Sequence, residues 1–430
     1  MKLVKSAAAL CLSGAMLAAV ASCSGDGSAN HGTGRIDVVV ALADADEEIT
    51  LSMLGSKIRF VPLETTDSSL VGANWDVRPL PGGKLVVTNT LPMISSGVSD
   101  CSVMVFDLAD GRFLNTVAQA GQGPADYKYP LFKVDTDGQR LYFPAGSGAG
   151  VVCYGVDGSY KGTVCRDVRL TTSLAISAFE DAVAYMLSYD SMSDSRQASI
   201  VRYGMDGALM DSMTVFAGQS KVPYELSFEP DMRAYSLNTV LNKQRGTVLD
   251  IATGDRDYVI PTSSVWLEDG DAYYYESFSD TIFRVTPEGA VADLIIDMGE
   301  HSLPVCRLNE LPFSSDHWIV TDVKPCGDRI LFGFTQGWLR DDSHKEYAGI
   351  YNRRTGELHL APMRKDGFRD DLSGFMPLSN LKPAPDGSLV GILTMDEIAE
   401  FLEKNPDVEA PEWYGALDPD ANPVAVIITP

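Results

Sequence analysis

The chain has 430 residues, enough for up to three domains of about 150 residues each or for one large domain. Its 45% hydrophobic and 22% charged content, with 38 Gly and 23 Pro, excludes disorder, collagen and coiled coil. A formal charge of −25 repels phosphate backbones, so nucleic acid is not an expected partner.

Residues 1–22 begin with Lys2 and Lys5 and continue through an apolar run from Ala7 to Ala21, the pattern of a signal peptide. The run is too short for a membrane span, which needs about 20 residues. Its end, Val20-Ala21-Ser22-Cys23, resembles the lipobox of bacterial lipoproteins. That resemblance implies cleavage between Ser22 and Cys23, a diacylglycerol thioether on Cys23 and acylation of the new amine, palmitate being a usual chain. Two or more chains give stable anchoring where one is marginal. The cut removes both lysines and leaves a charge of −27.

Ser24 to Gly34 is rich in Gly, Ser and Thr and reads as a flexible leash. The expected organisation is a signal peptide over 1–22, a tether and lead-in over 23–50, and a single domain over 51–430. Of seven cysteines, Cys101, Cys153, Cys165, Cys306 and Cys326 remain once Cys11 leaves and Cys23 is acylated. Cys153 and Cys165 flank the turn at Asp157-Gly158, and a disulfide there is weighed against the preferred reading of buried thiols. Without a Cys-x-x-Cys spacing, no metal site is expected.

From residue 102 onward one phrase recurs: an alternating apolar strand, a turn ending in Gly, and a second strand. It occurs at 102–117 (SVMVFDLADGRFLNTV), 150–164, 198–213, 245–260, 280–295 and 348–363. Each is a predicted hairpin whose tip needs a residue that tolerates positive φ. The tip glycines 111, 158, 207, 254, 289 and 356 step by 49 residues on average, the length of a propeller blade. A second kind of hairpin alternates with the first, at 77–89 (VRPLPGGKLVVTN), 132–144, 266–277, 320–334 and 381–393. Two hairpins make a four-stranded blade, and stacking blades around an axis buries the face that each hairpin exposes.

The expected fold is all-β: a β-propeller of six blades, with seven as the alternative, and one short C-terminal helix over 395–404. The short step from Gly254 to Gly289 suggests that residues from about 224 to 298 form one elaborated blade. The strand-like segments 57–62 (KIRFVP) and 424–429 (VAVIIT) are expected to join the hairpin from Leu381 and close the ring.

Four phrases, 61–72 (VPLETTDSSLVG), 121–127 (GQGPADY), 280–285 (DTIFRV) and 422–427 (NPVAVI), resemble the six-bladed β-propeller lipoproteins of Bacteroidetes, a family of unknown function. The resemblance covers about residues 55 to 430. Ala125-Asp126-Tyr127 stands where the family commonly has Gly-Glu-Tyr, and the usual basic tail after the closing strand is absent. The resemblance implies an outer-membrane lipoprotein, on the periplasmic or surface face, acting with nutrient-uptake or sensing systems. It supplies no catalytic residue.

Chemical motifs are sparse. The loop residues Gly121, Gly123, Pro124 and Tyr127 suit a turn between blades, since no helix follows to cradle a phosphate. Asp135-Thr136-Asp137-Gly138 starts like a calcium loop, but Gly146 occupies the position of the required acid. Asp316-His317-Trp318 is a candidate general-base neighbourhood, weighed against a solvated loop. Tyr273, Tyr274, Tyr275 and Trp338 are candidate sugar-stacking rings, weighed against core packing. No cofactor and no metal are expected. Two functions stay open: a non-catalytic module binding a glycan, peptide or partner protein, and an extracytoplasmic hydrolase or lyase.

Overall fold

The computed structural model describes residues 33–430 except 73–74, 90–101, 119, 129–131, 136, 171–173, 181, 191–194, 221–231, 237–245, 252–257, 262, 269, 277, 287, 304–316 and 338–343. The signal peptide, Ser22, Cys23, Cys101, Cys306, Asp316 and Trp338 therefore lie outside the described residues.

Six four-stranded antiparallel blades are built, five of them from two hairpins each as predicted. Blade one spans 75–116, blade two 133–169, blade three 174–220, blade four 263–297 and blade five 318–362. Blade six begins with Lys382–Pro383 and Leu389–Leu393, adds Val424–Thr429, and takes its outer strand, Lys57–Pro62, from the start of the domain. The ring is thus closed by pairing the two ends of the chain. Val424 to Ile428 are all buried, as a strand with neighbours on both edges requires. Gly111, Gly158, Gly207 and Gly356 hold φ between +75° and +90° at the hairpin tips. At Gly111 a Cβ would also lie 1.9 Å from the Pro62 carbonyl oxygen, so the tip of blade one admits no side chain where it meets blade six.

The count of six follows from the core. Among the described residues, buried apolar side chains fall into six clusters, and each joins two successive blades. Leu80 and Val105 meet Phe143 and Val152 between blades one and two, and Val151 and Cys153 meet Phe179 and Met186 between two and three. Tyr185 and Ile200 meet Val265 and Tyr274 between blades three and four, then Tyr275 and Ile282 meet Val320 and Phe332. Leu331 and Ile350 meet Val426 and Ile428, and Ala425 and Ile427 meet Val87 and Phe106, which returns to blade one. Burial at some 25 cal/mol per Å² of apolar surface holds these faces together, and a closed ring leaves none of them exposed.

Blade three packs on blade four, although residues 221–261 separate them in sequence. The strands Met232–Ser236, Gly246–Ile251 and Tyr258–Pro261 form a sheet of their own that pairs with no described strand of blade four. The single elaborated blade expected over 224–298 is therefore a separate three-stranded sheet followed by an ordinary blade. The hairpin phrase at 245–260 belongs to that sheet.

The expected lead-in is also more ordered than its composition implies. Gly34–Asp37 adds a fifth, parallel strand outside blade four, with Ile36 and Val38 buried against Leu294 and Ile296. Leu51 and Leu54, in a helical turn over Leu51–Leu54, then pack into the core between blades five and six. The helix Met395–Lys404 forms as predicted. Thr394 and Glu397 cap each other reciprocally, and Ile398 is fully buried.

Candidate functional site

The 121–127 loop is a self-contained turn between blades one and two. The Asp126 carboxylate accepts the Gly123 amide at 2.7 Å, Gly121 N–H donates to the Tyr127 carbonyl, and the Tyr154 hydroxyl donates to the Ala125 carbonyl. A Cβ on Gly121 would meet Asp126 Oδ2 at 2.2 Å, which explains glycine there. Tyr127 is fully buried and stacks on Phe143 at 5.0 Å. These residues shape the seam between two blades and offer no ligand site.

The other candidates resolve into structure. Tyr273, Tyr274 and Tyr275 are all buried. Tyr273 and Tyr275 face blade five and Tyr274 faces blade three, so the alternation of a strand places all three in the core. Asp135 accepts the Gln139 and Arg140 amides and makes a hairpin turn. The His317 carbonyl accepts the Gly337 amide, while the Trp318 ring stacks on His301 at 4.4 Å. Cys153 and Cys165 are free and buried. Gly162 lies opposite Cys153, so the two cysteines are out of register for a cross-strand bridge. Burial pushes both thiols up, Cys165 to about 11, which keeps them protonated and unreactive.

The inner strands of the six blades share one register. Each blade's inner strand ends at a pair that closes its first hairpin: Leu80 with Lys84, Asp135 with Arg140, Glu180 with Val183, Glu268 with Asp271, Cys326 with Arg329, and Ala384 with Ser388. Two residues earlier stand Arg78, Lys133, Ala178, Trp266, Lys324 and Lys382. Four consecutive blades, five, six, one and two, thus place a cation at the same backbone position of the strand nearest the axis.

Each such side chain lies on the same face of its strand as the closing residue, toward the next blade. Lys324 Nζ donates to the Leu381 carbonyl at 2.9 Å and lies 3.7 Å from Asp322. Lys382 Nζ lies 3.2 Å from Asp76. Arg78 sits over the Phe132 ring at 5.0 Å. Among the described residues no carboxylate lies within ion-pair distance of Arg78 or Lys133. Arg78 is exposed and Lys133 is half-buried. The lost hydration lowers the Arg78 pKa against the pull of Asp76, and it brings the Lys133 ammonium down to about 8, with the neighbouring Arg78 charge adding to the fall. Arg78 thus lies against the Phe132 side of the inner strand of blade two, whereas Lys133, paired with Tyr142, lies on the other side of that strand. Arg78-Pro79, Lys324-Pro325 and Lys382-Pro383, each just before a turn, are the sequence signal that marks the set, and Lys133-Val134 departs from it.

A second concavity lies between the helix Met395–Lys404 and residues 364–377, floored by Phe375 and Phe401. Its rim charges are already paired: Arg364 with Asp366, Arg369 with Glu48, and Lys404 with Glu400. That leaves little for a charged ligand to gain.

Residues 33–429 match the domain of unknown function DUF4934, and the chain belongs to that family. A crystal structure of a Bacteroides fragilis protein described as exported is similar over 89% of this chain and 97% of its own, with a TM-score of 0.56 at 15% identity. A Bacteroides vulgatus member of the DUF4221 family is matched over 87% of this chain and 96% of its own, with a TM-score of 0.38 at 9% identity. The first likeness bears on fold alone. No curated protein matches the chain.

Proposed function

We propose that this member of the DUF4934 family is a non-catalytic binding module of the cell envelope, tethered to the outer membrane by an acylated Cys23. Its propeller presents the axial opening to a soluble ligand. The observation that carries the reading is the set of cations on four successive inner strands, held on a ring closed by pairing of the chain ends. A closed ring fixes these side chains relative to one another, which is what preorganised binding needs. An extracytoplasmic address is supported by the lipobox-like Val20 to Cys23 and by the exported Bacteroides fragilis neighbour. Among the described residues, no helix is long and apolar enough to cross a membrane. The hydrolase or lyase alternative gains nothing at the axis. Of the carboxylates near the cations, Asp76 and Asp322 each stand beside a lysine, an arrangement for holding charge.

The mature protein, residues 23–430, should show saturable calorimetric binding to at least one member of a panel of oligosaccharides, short peptides and small acids, with the ligand recovered unchanged by mass spectrometry. Turnover of the bound ligand would overturn the non-catalytic reading. The anchor is tested separately: Cys23→Ala should abolish labelling by a palmitate analogue and leave the precursor uncleaved, and persistent labelling would refute it.

A further inference from the structure

We propose that the concavity between the helix Met395–Lys404 and residues 364–377 binds a neutral glycan, taking the apolar face of a sugar ring at its aromatic floor and the hydroxyls at its charged rim. This inference rests on the binding-module reading and adds to the axial opening a second site, beside blade six, with a stated ligand class.

The propeller does not need these walls to close its ring. Residues 145–148 suffice to join the second and third strands of blade two, whereas blade six inserts 394–423 at the same place. The inserted helix is held rigidly. Its first turn is capped by Thr394 and Glu397, and Phe401 meets Phe375 edge-on at 5.8 Å, with the Trp413 ring edge-on to Phe375 at 6.0 Å. The opposite wall is held as well. The Asp370 carboxylate accepts the Leu372, Ser373 and Phe375 amides, while Phe368 and Leu378 exchange both backbone hydrogen bonds. A site fixed in the free protein loses little freedom on binding.

The concavity has a volume of about 720 Å³, within the range of about 300–1,000 Å³ common to small-molecule sites. Its floor is Phe375, Met376 and Phe401, and its rim carries charges of both signs. Together these select a ligand by elimination. Each rim cation already stands beside an acid, so an anion finds no uncompensated positive charge. A wholly apolar ligand would strip water from the rim ions and return no hydrogen bond. A sugar ring offers a C–H face to the floor and hydroxyls that both donate and accept, so it replaces the water on those ions without disturbing their pairing. Partners remain for it at the rim. Glu397 caps through Oε2 and Glu400 meets Lys404 through Oε1, which leaves Glu397 Oε1, Glu400 Oε2 and Asn405 Oδ1 without a partner among the described residues. Arg369 engages Glu48 through Nε and keeps its two terminal nitrogens as donors.

The test titrates the mature protein by calorimetry with maltohexaose, cellohexaose and mannohexaose in separate arms, with hexagalacturonate as the acidic contrast. At least one neutral hexasaccharide should bind saturably, and hexagalacturonate should not. Phe401→Ala should weaken that binding by about tenfold or more, since it removes the ring under the sugar. Phe401 also touches the core, so the exposed Glu400 supplies a second variant. Glu400→Ala should weaken binding by about tenfold and leave the melting midpoint unchanged, because an exposed ion pair contributes little to stability. Tyr160→Ala, which removes an exposed ring from the outer strand of blade two, should leave the affinity unchanged. Absence of saturable binding by all three neutral hexasaccharides, unchanged affinity in Glu400→Ala, or equal losses in Tyr160→Ala and Phe401→Ala would overturn the proposal. If the wider panel yields a ligand whose affinity ignores both Phe401 and Glu400, the glycan site is refuted while the binding-module reading stands.

Discussion

Blades five, six, one and two set a cation two residues before the first turn, whereas blades three and four set Ala178 and Trp266 at that same position. The backbone register of the inner strands is shared by both arcs. What differs is how charge is settled. Around blade four, Glu276 is fully buried and accepts from Ser263 at 2.5 Å and from the Tyr274 hydroxyl, and Glu268 lies 3.8 Å from Arg353 of blade five. Both carboxylates there have partners within the fold. In the basic arc two of four cations are answered internally and two are not. A repeat scaffold can thus carry a site on part of its circumference while the rest serves packing, because the backbone position is common and the side chain is free to differ.

The strongest way to break the comparison is to open the ring on which it depends. A chain ending at Asn422 loses Val424 to Ile428, five buried residues of the strand that is the one described strand partner of Lys57–Pro62 and the second neighbour of Leu389–Leu393. The loss should exceed about 5 kcal/mol, enough to abolish cooperative melting near physiological temperature, since several buried aliphatic side chains and a strand's hydrogen bonds vanish together. An unchanged melting midpoint would refute closure by this strand.

A finer cut separates the two internally answered cations. Asp322 is fully buried and Lys324 nearly so, whereas the Asp76 side chain is 59% exposed beside Lys382. Removing one partner of a buried pair strands the other charge and costs about 3–5 kcal/mol, whereas an exposed pair contributes at most about 1 kcal/mol. Asp322→Ala should therefore lower the denaturant midpoint far more than Asp76→Ala. Equal, small effects would place the 322–324 pair in contact with water and weaken the case for a graded wall.

Much of this architecture is legible in the residues themselves, and the remainder is illegible for definable reasons. Asp-Gly and Thr-Gly tips announce hairpins because positive φ is locally encoded, and 424–429 announces a strand because its residues are β-branched or apolar. The separate sheet of 232–261 is hidden because its hairpin at 245–260 reads like the blade hairpins, and only packing of blade three on blade four shows that the ring bypasses it. The order of residues 34–50 is hidden too. Gly34–Asp37 is held by a parallel strand some 260 positions away, and no local pattern reports such a partner. The basic arc lies between these cases. Its Arg-Pro and Lys-Pro pairs are visible, but their equivalence depends on turn lengths that differ among blades, and Lys133-Val134 shares the position without the proline.

The gentlest test concerns Lys133 itself, because its charge is the one the fold tolerates least. The Arg78 charge acts on it from blade one, Tyr142 lies opposite it on the neighbouring strand, and Asp135 follows it at the turn. Its folded pKa of about 8 lies below the usual lysine value of about 10.5, so between these limits the unfolded chain holds more proton than the folded one. Stability contributed at this site should rise as pH climbs from about 8 to 10.5, and below pH 8 the cost of the buried charge is present in full. Lys133→Met removes that cost and should stabilise the ligand-free protein at pH 7 by about 1 kcal/mol, a figure discounted for partial hydration, with the advantage shrinking toward pH 10.5. Under the binding-module reading the same substitution should weaken ligand binding, so stability and binding move in opposite directions, as expected of a group held in place for a ligand. Destabilisation by Lys133→Met at pH 7, with no pH dependence to the difference, would show that Lys133 already has a partner within the fold and would remove the contrast between the two arcs.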